Sequence, residues 1–129
     1  SLSGNQTSVE INLDFWKGDS WDNERFIVEV DGNQLFNQPF RFYQGTQIAG
    51  QPYGNWHELL VPISLNYNTT ATSLNVKFHS TLNQYAADEW WAVDNVVITD
   101  NVSAQVPEPS TLAIFALGMI SLVSLRLKK

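Results

Sequence analysis

The sequence predicts an all-β protein, an antiparallel two-sheet sandwich of about six to eight strands that is jelly-roll-like. Three observations support this fold class. Apolar and polar residues alternate with a period of two, turn residues separate the alternating runs, and no amphipathic helix of useful length precedes residue 105. The chain has 129 residues, which is enough for one domain.

Five runs carry the strand signal, in the order Val9–Phe15, Phe26–Val30, Leu59–Ile63, Leu74–Phe78 and Trp90–Ile98. Polar residues stand between the apolar ones in the first four runs, which is typical of strands with one buried face. The last run is apolar on both faces, which predicts a buried strand. Asp31-Gly32-Asn33 follows the second run and predicts a hairpin, because Asp-Gly accepts the positive φ of a primed turn.

Charge and composition exclude several classes of protein. Residues 1–105 carry 4 basic and 12 acidic side chains, a net charge of −8, whereas residues 106–129 carry a net charge of +2. The acidic body repels phosphate, so we expect no nucleic-acid partner. The absence of cysteine excludes disulfides and thiolate metal sites. The 12 Asn and 8 Gln residues suit an extracellular surface that faces sugars.

The composition changes near residue 103. We expect the sandwich domain at residues 1–102, a linker at 103–106 and a separate segment at 107–129. The sequence starts without Met or a signal peptide. We therefore expect a processed chain or a fragment whose sandwich lacks its first strands.

The C-terminal segment has three parts. Val106-Pro107-Glu108-Pro109-Ser110-Thr111 precedes the apolar run Leu112–Leu125, and Arg126-Leu127-Lys128-Lys129 ends the chain. The 14 apolar-run residues would rise about 21 Å as a helix, less than the roughly 30 Å of a hydrocarbon core. We expect a short transmembrane helix with its basic end in the cytoplasm and the body outside.

These three parts, in this order, resemble the PEP-CTERM sorting signal of Gram-negative bacteria. The resemblance implies that an exosortase recognises Pro107, Glu108 and Pro109, and that the helix holds the precursor transiently in the inner membrane. It further implies removal of the tail and delivery of the body to the cell surface or the exopolysaccharide matrix. The alternative is a weak tail anchor beside a chance Pro-Glu-Pro.

The body resembles laminin-G-like and MAM-like jelly rolls. The resemblance lies in the stretch Trp90–Ile98, with its aliphatic-Asp-Asn-aliphatic step, and in Asp19–Glu24 before a strand that ends in Val-Asp-Gly. These motifs are short, so the resemblance implies a fold and not a function.

The loop Gly18–Glu24 predicts a cation site. Asp19, Asp22 and Glu24 supply hard oxygen ligands of the kind that Ca²⁺ uses, and Asp94 could join them through the fold. Asp88, Glu89 and Asp14 are further carboxylates that the fold could bring to the same cation. The alternative is a polar turn whose side chains bond to their own backbone. Asp94 lies within an apolar run, so we expect it to be paired, bound to metal or protonated, with pairing in the core as the preferred alternative.

The chain has five tryptophans. Trp16 lies opposite the apolar residues of its run and Trp21 lies in the acidic loop, so either could stack on a sugar ring; the alternative for both is a place in the core. Trp56, Trp90 and Trp91 flank hydrophobic runs and are expected in the core.

His57 and His79, the two histidines, are expected at surface or edge positions, because two isolated histidines do not make a zinc site.

Together these features predict an exported, non-enzymatic β-sandwich that associates with extracellular polysaccharide, with Ca²⁺ as a possible cofactor. One alternative is a structural or adhesin module that contacts proteins and exposes an apolar patch. A second is a small carbohydrate-active enzyme, in which two carboxylates such as Glu89 and Asp94 would face each other across a cleft.

Overall fold

The computed structural model describes residues 1–49 and 58–103. Within these ranges the chain forms seven strands: β1 Ser8–Asp19, β2 Asp22–Val30, β3 Asn33–Arg41, β4 Thr46–Ala49, β5 Glu58–Asn68, β6 Val76–Ser80 and β7 Glu89–Asn101. None of the described residues belongs to a helix that is long and apolar enough to cross a membrane. The predicted C-terminal helix at 107–129 lies outside the described residues.

The strands form two antiparallel sheets. Sheet A has the order β4-β5-β1-β7, and sheet B has the order β3-β2-β6. Every described strand pair is antiparallel, as expected of short, alternating runs. The predicted all-β, two-sheet sandwich is therefore confirmed.

The core lies between the sheets and is centred on β1. Val9, Ile11, Leu13 and Phe15 are buried, whereas the side chains between them are half-buried on the outer face of sheet A. The ring of Phe15 stacks on that of Phe26 from β2, with centroids 3.9 Å apart. This contact joins the two sheets, so the period-two pattern of β1 decides which face of sheet A meets sheet B.

The predicted hairpin at Asp31-Gly32 is confirmed. Both residues have positive φ, 49° at Asp31 and 80° at Gly32, and Val30 pairs with Asn33 across the turn. Positive φ at both central residues is the requirement of a primed two-residue turn. The turn fixes the register between β2 and β3 at this end.

The prediction that Trp90–Ile98 forms a buried strand is wrong. This run forms most of β7, which lies at the edge of sheet A, and Val96, Val97 and Ile98 are 43%, 54% and 37% exposed. Sheet B has three strands among the described residues and does not cover this part of β7. Strand order, which a local apolar run does not encode, leaves these side chains in solvent.

Gly18 allows a close packing between β1 and β7. It pairs with Trp90, and a Cβ at Gly18 would lie 2.1 Å from the indole ring. We expect Gly18→Ala to lower the free energy of unfolding by about 1–3 kcal/mol, because the ring must move off the strand. Urea denaturation measures this loss.

The double variant supplies the control for this prediction. In a Trp90→Ala background the ring is absent, so adding Gly18→Ala should cost much less than in the wild-type chain. Equal costs in both backgrounds would show that the indole contact does not determine the need for glycine at position 18.

Candidate functional site at the loop end

Three connections meet at one end of the sandwich, which we call the loop end: Ser20–Trp21 between β1 and β2, residues 42–45 between β3 and β4, and residues 81–88 between β6 and β7. Strand register brings them together. Asp22 pairs with Arg41 at the end of β3, and Asp19 pairs with Glu89 at the start of β7. Most of the predicted site residues lie here.

The β1–β2 connection is tight and acidic. Asp19 has φ 67° and Asn23 has φ 125°, and the β2–β3 register shifts between Asp22 and Arg25. Asp and Asn tolerate left-handed backbone because their short side chains hydrogen-bond locally. The resulting bulge at the start of β2 presents Asp22 and Glu24 beside the first residue of β7.

Three carboxylates converge at this point. One oxygen each from Asp22, Glu24 and Glu89 lies within 4.8 Å of the other two. We call these three residues the acidic cluster. A Glu24 carboxylate oxygen also accepts the backbone N–H of Asp22 at 2.7 Å. The predicted pair Asp22 and Glu24 is thus brought together, and Glu89 completes the group.

Glu89 is the buried member of the acidic cluster. It is 2% exposed, its Oε1 accepts a long hydrogen bond of 3.4 Å from the Ser20 hydroxyl, and its Oε2 has no hydrogen-bond partner among the described residues. Burial raises the pKa of Glu89, and the carboxylates of Glu24, Asp22 and Asp88 raise it further. A counter-charge at this position would relieve both effects.

Asp19, a predicted ligand, lies next to the acidic cluster but is not one of its three members. Burial raises the pKa of Asp19, and the charge of Asp88 adds to the rise. Asp88 also accepts a hydrogen bond of 3.5 Å from the Ser20 hydroxyl. The loop end therefore concentrates five carboxylates, which gives it a strongly negative potential.

The predictions that Asp94 is paired in the core or joins the metal ligands are wrong. Asp94 is exposed and pairs with Asp14 on the outer face of sheet A, five residues along β7 from Glu89. Its carboxylate accepts the N–H of Asn95, whose side-chain amide donates to Asp14 at 2.8 Å. Asn95 has φ 50° and lies at a register shift, so a bulge turns this part of β7 outward.

The prediction that Trp21 stacks on a sugar is also wrong. Trp21 is 0% exposed and packs edge-to-face on Phe15, with centroids 5.6 Å apart. Its indole N–H donates to the carbonyl of Trp90 at 3.2 Å. A side chain without exposed surface offers no face to a ligand, so Trp21 is a core residue that joins the β1–β2 connection to β7.

Trp16 and Trp90 lie on the outer face of sheet A at the loop end. Trp16 pairs with Ala92, and Trp90, two residues before Ala92 on β7, pairs with Gly18. The two tryptophans are therefore diagonal neighbours on the same face of the sheet. Both are half-buried. Trp91 points to the other face and packs on Phe26 at 5.3 Å between centroids, in line with its predicted place beside the core.

A shallow pocket of about 280 Å³ opens beside the acidic cluster. Its walls combine aromatic, aliphatic and polar side chains: Leu82, Gln84, Ala86, Glu89, Trp90 and Trp91. All six residues come from the β6–β7 loop or the first three residues of β7, a segment that the sequence patterns did not single out as a pocket. Tyr85, in the same loop, is 88% exposed.

The histidines contribute nothing to the loop end among the described residues. His79 lies on β6, half-buried, and its Nε2 is 3.1 Å from a carboxylate oxygen of Glu29. Lys77 approaches the same glutamate at 3.6 Å. This is a surface charge network on sheet B. His57, like Trp56, lies outside the described residues.

Comparison with known proteins identifies the C-terminal segment. Residues 105–129 match the family model of the PEP-CTERM protein-sorting motif. No curated protein and no solved structure matches the chain, so the resemblance of the body to laminin-G-like and MAM-like domains stays a prediction. The chain therefore carries a PEP-CTERM sorting motif, which implies an exported, membrane-anchored precursor that an exosortase processes.

Proposed function

We propose that this protein is an exported, non-enzymatic β-sandwich whose mature form, at the cell surface or in the extracellular matrix, associates with polysaccharide through the loop end. The sorting motif supports export and exosortase processing. The observation that carries the polysaccharide proposal is the pocket lined by Trp90, Trp91, Gln84 and Glu89. Its acceptors and donors lie beside aromatic surface.

The chemistry of this pocket fits a saccharide. A sugar ring has apolar C–H faces that pack on an indole, and hydroxyls that hydrogen-bond to amides and carboxylates. Trp90 supplies the aromatic surface, and the exposed amide of Gln84 supplies a donor and an acceptor, whereas Glu89 is buried in the wall of the pocket. Trp16 lies on the same outer face, diagonally opposite Trp90, and extends the aromatic surface onto β1.

A long glycan has a polar path beyond the pocket. Glu10 and Asn12 of β1 and Ser64 of β5 lie on the outer face of sheet A, where Glu10 accepts hydrogen bonds from Asn12 at 2.8 Å and from Ser64 at 3.4 Å. The body carries a net charge of −8. We therefore expect a neutral polysaccharide to be preferred over an anionic one.

The test is co-sedimentation of the full chain, in neutral detergent micelles, with the host's own exopolysaccharide. We expect Gln84→Ala to weaken retention about two- to tenfold, the value of one lost hydrogen bond. Gln38→Ala, which removes an exposed amide of β3, is the matched control and should bind like the wild-type chain.

Two results would contradict the proposal. If the wild-type chain is not retained in Ca²⁺ or in EDTA, this polysaccharide is not a ligand. If Gln84→Ala and Gln38→Ala are retained equally with the wild-type chain, the pocket is not the binding site.

We also propose that Ca²⁺ supports retention, since the acidic cluster shares Glu89 with the pocket.

The exposed edge of β7 favours a second candidate function, a structural or adhesin module that contacts proteins. Val96, Val97 and Ile98 form a continuous apolar run on an edge strand, a feature typical of strand-addition surfaces.

The carbohydrate-active enzyme is less favoured. Glu89 and Asp94 lie five residues apart on one strand, about 16 Å, and point to opposite faces.

A further inference from the structure

The acidic cluster has the dimensions of a cation site. An oxygen from each of Asp22, Glu24 and Glu89 lies within 4.8 Å of the other two. Oxygen ligands of Ca²⁺ lie at about 2.3–2.6 Å from the ion, so two ligands of the same ion are no more than about 5 Å apart. The three oxygens are therefore close enough to one another to share one ion.

A second observation, independent of the clustering, also indicates a ligand. The Glu89 side chain is buried, with 2% of its surface exposed, and its Oε2 lacks a hydrogen-bond donor among the described residues. Oε1 accepts the long hydrogen bond from Ser20, and a buried carboxylate oxygen without any donor, as Oε2 is, is costly. The side chain reaches into the acidic cluster, since one of its oxygens belongs to the 4.8 Å group.

The described cations do not neutralise this group. The ion pairs found among the described residues both involve Glu29, which lies on sheet B away from the loop end. The buried ammonium group of Lys17 donates instead to the carbonyl of Arg41 at 2.7 Å. Within residues 1–49 and 58–103, the three carboxylates therefore approach one another without an ion pair to a basic side chain.

We propose that Asp22, Glu24 and Glu89 bind one Ca²⁺ ion that connects the start of β2 to the start of β7. Three carboxylates provide hard oxygen ligands, which Ca²⁺ accepts in flexible geometry, whereas Mg²⁺ demands near-octahedral geometry and retains its water. The ion would join two strands that belong to different sheets. It would thereby fix the wall of the pocket at Glu89.

This inference deepens the proposed function and rests on it only for the effect of Ca²⁺ on polysaccharide binding. The metal site itself is tested without polysaccharide. The full chain, in metal-free neutral detergent micelles, is titrated with Tb³⁺, whose luminescence the nearby indoles sensitise, and Ca²⁺ then displaces the Tb³⁺. Calorimetry with Ca²⁺ alone gives the stoichiometry.

We expect one Ca²⁺ per chain, with a dissociation constant of about 10⁻⁴–10⁻³ M, as in extracellular modules. Glu89→Gln should weaken binding more than about tenfold, because even residues behind the ligands of a metal change its affinity by about 10- to 100-fold. Asp22→Asn is the second variant and should show the same loss if Glu89→Gln does not fold.

Asp94→Asn is the matched control, because it removes one carboxylate charge from an exposed position outside the acidic cluster. It should bind Ca²⁺ like the wild-type chain. Absence of saturable binding in the wild-type chain would overturn the proposal. An equal loss in Asp94→Asn and Glu89→Gln would also overturn it, since general negative charge would then account for the binding.

The two proposals can fail separately. Ca²⁺ binding without polysaccharide retention would leave the metal site in place and contradict the polysaccharide proposal. Polysaccharide retention in the wild-type chain without Ca²⁺ binding would contradict the metal site alone.

Discussion

Trp21→Ala should lower the free energy of unfolding by about 3–5 kcal/mol, the usual cost of truncating a large buried aromatic side chain. Trp21 is 0% exposed and contacts both Phe15 and Phe40, with centroid distances of 5.6 and 6.4 Å. The variant leaves a cavity between the sheets. It also leaves the Trp90 carbonyl without the indole donor.

Urea denaturation of the full chain, followed by circular dichroism, measures the effect. Trp16→Ala is the matched control: it removes the same side chain from a half-buried position on the outer face, and we expect a clearly smaller loss. If Trp21→Ala cost no more than Trp16→Ala, the position of Trp21 in the core would be wrong. A sugar-binding role for Trp21 would then be open again.

Lys17→Met should change how stability depends on pH. Lys17 is 1% exposed, and burial lowers the pKa of its ammonium group from 10.5 to about 8. Because the folded pKa is the lower one, the charged form is disfavoured in the folded state. The unfolded chain binds more protons between these two pKa values, so the stability of the wild-type chain rises with pH from about 8 to 10.5.

The size of this rise follows from the shift in pKa. Each pKa unit corresponds to about 1.4 kcal/mol, so Lys17 accounts for about 3 kcal/mol between neutral and alkaline pH. Lys17→Met removes the charge and should flatten this part of the profile. At neutral pH the loss of the hydrogen bond to the Arg41 carbonyl should cost Lys17→Met about 1 kcal/mol. Removal of the buried charge offsets this cost, so we expect the variant to be at least as stable as the wild-type chain.

Lys77→Met controls for the other groups that titrate in this range. Lys77 is an exposed lysine of β6, and its side chain is 63% exposed. This variant should retain the alkaline rise in the free energy of unfolding, measured by urea denaturation at a series of pH values. A rise of the same size in Lys17→Met would show that burial of Lys17 does not cause it.

Local pattern predicted a large part of the fold. The alternation in β1 and β2 predicted their strands and the buried faces that carry Phe15 and Phe26. It did not reveal β3, where Leu35 and Phe36 are adjacent and Pro39 interrupts the run, or the short β4. Alternation predicts a strand only when the period of two runs unbroken over several residues, which the sequence of β3 does not provide and the four residues of β4 are too few to show.

The candidate site was predicted in part. Asp22 and Glu24 are near in sequence, and a local acidic loop was enough to propose them as ligands. Glu89 lies far along the chain and joins them only because β7 pairs with β1 and the β1–β2 connection is two residues long. Asp94 looked equally suitable in sequence, but the bulge at Asn95 and the pleat place it on the outer face.

Four features can be read from the amino-acid sequence alone: the β class, the hairpin at Asp31-Gly32, the buried face of β1 and the C-terminal sorting motif. Each of these is encoded by residues close together in the chain, through side-chain alternation, turn conformation or a short linear signal. Three further features are visible only in the folded chain: Trp21 is buried, β7 lies at an exposed edge and Glu89 completes the acidic cluster. These features depend on which strands pair and which sheet covers them, and such long-range contacts leave no periodic signal in the sequence.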